Sequence, residues 1–162
     1  MSIISPAIRA TLMIRSLGFM QIPLLWACRP QVVEIDRHKC VVKIRHRRKT
    51  RNHEGGLYIA ALTVGAELAA GILTIRHMGV GKGKKLIYKD FHADYLKRSE
   101  ADVFFSCSDG EKLKELTARA KKTGERQNMT VNVVATVPSK LGDEPVATFV
   151  LTLSIKDKTG SG

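Results

Sequence analysis

Leu57–Ile75 reads LYIAALTVGAELAAGILTI and carries one charge, Glu67. A helix apolar on every side has to be buried, in a protein core or in lipid. A carboxylate inside such a helix carries a large desolvation cost unless it is neutral or partnered. Glu67 is therefore the residue whose presence most needs a reason. The helix is preceded by the polar loop Arg51-Asn52-His53-Glu54-Gly55-Gly56. Polar loop, two glycines, apolar helix and a lone acid form one local pattern.

On either side of this helix the pattern changes. Residues 5–28 read as helix, with breaks at Gly18 and Pro23. Val32–Ile35 and Cys40–Arg45 read as two short strands around a turn at Asp36–Lys39. Met78–Lys85 is a basic turn rich in glycine. Lys84–Leu96 reads as a long strand, with Ile87, Phe91, Ala93 and Tyr95 assigned to one face by their even spacing. Asp102–Ser108 is a further strand, and Ser108-Asp109-Gly110-Glu111 has the form of a capping box opening a helix to about Lys122. Its apolar stripe is Leu113, Leu116 and Ala120. Asn128–Val137 and Val146–Lys156 alternate cleanly, with a turn at Pro138–Pro145. Strands with one apolar and one polar face form an antiparallel sheet covered on one side. The all-apolar helix is the natural cover. The expected fold is α+β, a curved antiparallel sheet wrapped around a long central helix. The chain divides into an N-terminal helical segment (1–29), one domain (30–157) and a polar tail (158–162).

The net charge of +12 attracts polyanions: nucleic acid, anionic membrane or phosphorylated ligands. KIRHRRKTR at Lys43–Arg51 holds six basic residues but no interleaved aromatic ring, which weighs against single-strand nucleic-acid binding. Nucleic acid is not expected as a partner. Cys28, Cys40 and Cys107 are odd in number and form no CxxC pair, so neither a metal site nor a disulfide framework is expected, and a reducing, cytoplasmic setting fits. Leu25-Trp26-Ala27-Cys28 loosely resembles a lipoprotein cleavage box, but Trp26 suits it poorly and Gln21 and Pro23 interrupt the run before it. That run is read as an amphipathic helix capping the core. Leu57–Ile75 is long enough to span a bilayer, yet a central Glu would cost on the order of 3 kcal/mol there, and no membrane span is expected.

The order of elements over residues 30–157, with one motif, resembles the hotdog-fold thioesterase superfamily, in the branch of small bacterial proteins related to phenylacetyl-CoA thioesterases. The family motif places an Asn before a His-Gly-Gly and an acid nine residues after that His. Asn52 lies six residues before Tyr58, and Glu67 nine after it. Where the family has His-Gly-Gly this chain has Tyr58-Ile59-Ala60. The resemblance implies hydrolysis of an acyl-CoA or acyl-carrier-protein thioester, with Glu67 as general base or nucleophile and Asn52 orienting the carbonyl or water. Backbone N–H groups over Gly56–Ala60 would polarise the carbonyl. It also implies a homodimer or tetramer in which acid and loop come from opposite subunits. Coenzyme A enters only as part of the substrate, and no other cofactor is implied. Tyr58 and Leu62 would line the acyl site, and Lys97 and Arg98 would lie near coenzyme A phosphates.

Each of these residues has a plainer reading. Glu67 can be a carboxylate satisfied inside the core or across an interface. Asn52, His53, Gly55 and Gly56 can be ordinary turn chemistry. The lysines and arginines can be a solvated face. A non-catalytic acyl-thioester or lipid-binding hotdog protein is the alternative function, favoured by the missing His-Gly-Gly.

Overall fold

The computed structural model describes residues 5–160. In chain order the elements are α1 (Pro6–Met20), α2 (Pro23–Cys28), β1 (Gln31–Ile35), β2 (Cys40–Ile44), α3 (Ile59–Met78) and β3 (Lys84–Tyr95), then β4 (Val103–Cys107), α4 (Gly110–Thr123), β5 (Gln127–Thr136), α5 (Pro138–Leu141) and β6 (Pro145–Asp157). The strands form one antiparallel sheet in the order β1-β2-β4-β5-β6-β3. α3 packs on the apolar face of β2, β4 and β5. This is the sheet-around-helix arrangement expected from the strand patterning.

The core follows from the alternation. Val131, Val133 and Ala135 of β5 and Phe149, Leu151, Leu153 and Ile155 of β6 are buried against the helices. Phe149 sits at the centre of an aromatic cluster, with ring centroids 5.6 Å from Phe91 and 6.2 Å from Tyr95 and Phe105. α3 reaches this layer because Gly65 has no side chain: a Cβ there would lie 2.2 Å from the Phe105 ring. α3 has the length and composition of a membrane span, and in this fold most of its side chains face protein.

Four details differ from the sequence reading. Gly18 does not break α1. It lies inside the helix, where a Cβ would meet the Trp26 backbone nitrogen at 2.7 Å, so its role is to admit α2. The break comes at Gln21–Ile22, because Pro23 holds Ile22 out of the helical region at φ −128°, ψ 85°. Leu57 and Tyr58 are not helical. Their N–H groups donate to Ser99 and Thr50 carbonyls at 2.8 and 2.7 Å, which holds them extended until α3 begins. The capping box at Ser108 does not form. Asp109 is the residue before α4, and its carboxylate accepts from the Asn132 N–H instead. The Gly110 N–H is met by the His38 carbonyl at 3.1 Å, and a Cβ on Gly110 would lie 2.2 Å from the Arg37 carbonyl oxygen. The β1–β2 turn thus docks on the start of α4. Finally, a register shift between Tyr88 and Asp90 changes the parity of β3. Leu86 and Tyr88 turn inward before it and Ala93 after it, while Ile87, expected inside, is exposed.

Candidate active site

Glu67 lies on the stripe Ala60–Thr63–Glu67–Gly71, one face of α3 by helical spacing. Thr63 and Glu67 are only partly covered, whereas the opposite faces are packed. Burial pushes the Glu67 carboxyl above its ordinary range, and a hydrogen bond with Tyr88 pulls the other way. Tyr88 comes from β3. Its hydroxyl donates to the Glu67 backbone carbonyl at 2.9 Å. Gly71 makes the room: a Cβ there would lie 2.5 Å from Tyr88 Oη and 3.8 Å from Glu67 Oε1. Burial, the Glu67 charge and a hydrogen bond with the Glu67 side chain all push the Tyr88 phenol upward, so it stays protonated as a donor. Tyr88 is a partner of Glu67 that the sequence reading missed.

Asn52 organises the loop ahead of α3. Its Oδ1 accepts from the N–H groups of Glu54 and Gly56, both at 3.0 Å, and its own N–H donates to the Gly56 carbonyl at 2.8 Å. The Gly56 N–H is therefore engaged within the loop, as are those of Leu57 and Tyr58. Tyr58 provides no side-chain cap, and the first turn bond runs from Leu62 N–H to the Tyr58 carbonyl at 3.0 Å. That leaves the N–H groups of Ile59, Ala60 and Ala61 heading the helix with no capping acceptor among the described residues. Unsatisfied N–H groups and the helix dipole make this end favourable to negative charge.

A cleft of about 240 Å³ opens at this end of α3, lined by Asn52, Gly56, Ile59, Leu62, Tyr95, Lys97, Arg98 and neighbours. The structure thus gathers Asn52, Gly56, Lys97 and Arg98 in one place, with half-exposed Tyr58 just before α3. Lys97 is paired with Glu144, and Arg98 contacts Glu100 at 3.1 Å and donates to the Glu54 carbonyl. Both cations hold the cleft rim together. Glu67 does not line this cleft. It lies seven residues beyond Ala60, roughly 10 Å along the helix axis. The loop precedes α3 and the acid lies along it, so the two do not line this cleft together.

Other nucleophiles are poorly placed. Cys40 and Cys107 lie opposite each other across β2 and β4, fully buried, and burial pushes their thiols up to about 12 and about 11. Cys28 is buried in α2 and its thiol is also raised, chiefly by burial. Among the described residues no three His, Cys, Asp or Glu side chains gather as a metal site.

The model of the family described as Domain of unknown function (DUF4442) matches residues 11–155. No curated protein matches the chain. Solved structures do. One is a Pseudomonas aeruginosa protein of unknown function described as a probable thioesterase, 18% identical, covering 90% of this chain and 95% of that one at a TM-score of 0.72. Another is a protein of unknown function from Chlorobaculum tepidum TLS, 9% identical, covering 93% and 96% at 0.76. A thioesterase from Haemophilus influenzae is 10% identical and covers 90% and 89% at 0.63. At these identities the likeness establishes the fold, and the fold is the hotdog arrangement.

Proposed function

Since the chain belongs to the family described as Domain of unknown function (DUF4442), we propose that it is a thioesterase acting on acyl thioesters of coenzyme A or of an acyl carrier protein. The observation that carries this reading is the Glu67 carboxyl: half-buried, raised by burial, and set beside Tyr88, whose hydroxyl holds the Glu67 backbone carbonyl, on a partly open stripe of α3. A base held above the ordinary carboxylate range takes a proton from water more readily near neutral pH. Glu67 accepts a proton as the water oxygen adds to the thioester carbonyl. The C–S bond then breaks, and the proton passes to the leaving sulfur, giving an acid and a thiol. Direct attack by the carboxylate on the carbonyl carbon, expelling the thiolate and leaving a mixed anhydride that water then hydrolyses to the acid and free Glu67, is the other route open to the same residue. The Ala60 N–H, one of three open at the head of α3, is assigned the role of polarising the carbonyl oxygen. Asn52 shapes the loop that holds this end of the helix, and Lys97 and Arg98 would meet coenzyme A phosphates by exchanging their ion pairs with Glu144 and Glu100.

The separation of Glu67 from the cleft fits a site shared between two subunits. β3 pairs on one side with β6, and its other side is unpaired among the described residues. A strand of 12 residues with an open edge is a template for pairing. A second copy added antiparallel along β3 would set the cleft of one subunit toward Glu67 of the other. The chain is therefore proposed to act as a homodimer.

The second reading, a binder of acyl thioesters without turnover, rests on Ile59, whose half-exposed side chain stands in the cleft beside Asn52. A panel of short-chain to long-chain acyl-CoA substrates separates the two. Thiol release from any member supports the thioesterase. Saturable binding without release supports the binder.

A further inference from the structure

The N-terminal helices end in an apolar elbow that the fold leaves uncovered. Phe19 is 71% exposed, Met20 68%, Leu24 51% and Trp26 47%. Ile22, between the helices, is also exposed. Phe19 and Trp26 stack edge to face with centroids 5.2 Å apart, so the elbow has a fixed aromatic tip. The inner side of the same helices is satisfied, with Ile14, Leu25 and Cys28 in the core. The elbow is thus apolar outside as well as in, where an ordinary capping helix would be polar outside. An exposed apolar surface of this kind marks a place of contact.

Arginines gather beside it. Arg47 donates from Nη2 to the Ala27 and Cys28 carbonyls at 2.9 and 3.0 Å, tying the basic loop to the end of α2 next to Trp26. Its Nε is buried without a hydrogen-bond partner. Arg15 donates to the Pro30 carbonyl at 3.4 Å. Burial and the nearby Arg29, Arg45 and Arg15 charges together push the Arg47 guanidinium downward. Among the described residues none of these four arginines has a carboxylate in an ion pair. Asp102, which feels Arg45, is already held by Lys43 at 2.8 Å. Four like charges without counter-charges repel one another, and an external anion relieves that.

We infer that the α1–α2 elbow and the arginines beside it form a docking surface for an anionic phospholipid bilayer. Phe19, Met20, Ile22, Leu24 and Trp26 enter the boundary between headgroups and acyl chains, where aromatic side chains are favoured. Arg15, Arg29, Arg45 and Arg47 meet lipid phosphates. Apolar insertion and charge attraction together give the two signals that stable peripheral binding needs. The net charge of +12 adds long-range attraction to the same surface. This inference stands apart from the thioesterase reading and needs none of its residues.

Trp26 is the one tryptophan of the chain, so its emission reports the elbow directly. The full chain is titrated with vesicles of phosphatidylcholine alone and of phosphatidylcholine mixed with phosphatidylglycerol. The expected result is a blue shift with the mixed vesicles only, reversed by high salt. Phe19→Asp with Leu24→Glu, which leave Trp26 in place, should abolish it. Arg29→Asn with Arg45→Gln should weaken partition about 25-fold, at roughly fivefold for each arginine near an anionic surface. Circular dichroism and thermal melts identify variants that keep the fold. No shift with mixed vesicles would overturn the inference, and so would equal shifts with both vesicle types. A wild-type dimer that Phe19→Asp converts to monomer, without vesicle binding, would assign the elbow to a second copy instead and overturn it as well.

Discussion

Glu67 and Tyr88 form a unit whose parts can be separated. The folded-state carboxyl titrates above its unfolded value because burial disfavours its charge. Between those two values the unfolded chain has lost the proton that the folded chain still holds, so Glu67 makes stability fall as pH rises through that window. Glu67→Gln removes the charge and keeps the shape. Thermal melts should show the variant more stable than wild type at neutral pH, with the gain vanishing below the ordinary carboxylate range. We assign Tyr88 as a positioning residue: its hydroxyl donates to the Glu67 backbone carbonyl at 2.9 Å, and its hydrogen bond with the Glu67 side chain lowers the carboxyl pKa against burial. In Tyr88→Phe the acid limb of kcat/KM against pH should move to higher pH, with about 1 kcal/mol lost from stability for the missing hydrogen bond. A purely structural tyrosine would leave the limb where it is. Ala60→Pro tests the other half of the site. Proline is tolerated in the first turn of a helix but has no N–H. Turnover should fall on the order of 10²- to 10³-fold if that N–H polarises the carbonyl.

At the scale of elements, α3, β5 and β6 were legible because their patterns are long and unbroken. An all-apolar helix and two strands with strict alternation have few alternatives. Glu67 stands out in the sequence for a related reason: it is the one charge in the apolar stretch Leu57–Ile75. What stayed hidden depends on contacts between distant segments. The parity change at Tyr88–Asp90 reverses which side chains of β3 face inward, and alternation counted along the strand cannot show it. Tyr88 was missed for that reason, although Gly71, four residues after Glu67, marked where a side chain would arrive. The start of α4 was misread because the Gly110 N–H is met by the His38 carbonyl of the β1–β2 turn, a contact between segments far apart in sequence. Such close approaches are testable. Gly65→Ala sets a methyl against the Phe105 ring, and the protein should lose about 1–3 kcal/mol in denaturant unfolding.

At the scale of the whole molecule, the cleft sits at the N-terminal end of α3 and Glu67, further along the same helix, does not line it. The proposed dimer along β3 would resolve this by letting one subunit supply the loop and the other the acid. The consequence is measurable by mixing. Homodimers of Ala60→Pro and of Glu67→Gln each lack one half of every site. Random exchange between them forms mixed dimers in which one of two sites is whole, so about a quarter of wild-type turnover should return. No recovery would place acid and loop of each site in the same chain.

The most direct test is the rate of thiol release from the best acyl-CoA substrate, measured for wild type and Glu67→Gln under the same conditions. The side chain keeps its size and loses its basicity, so turnover should fall by on the order of 10²- to 10⁴-fold while substrate affinity changes little. Turnover retained within a few-fold of wild type would contradict the assignment of Glu67 as the catalytic group.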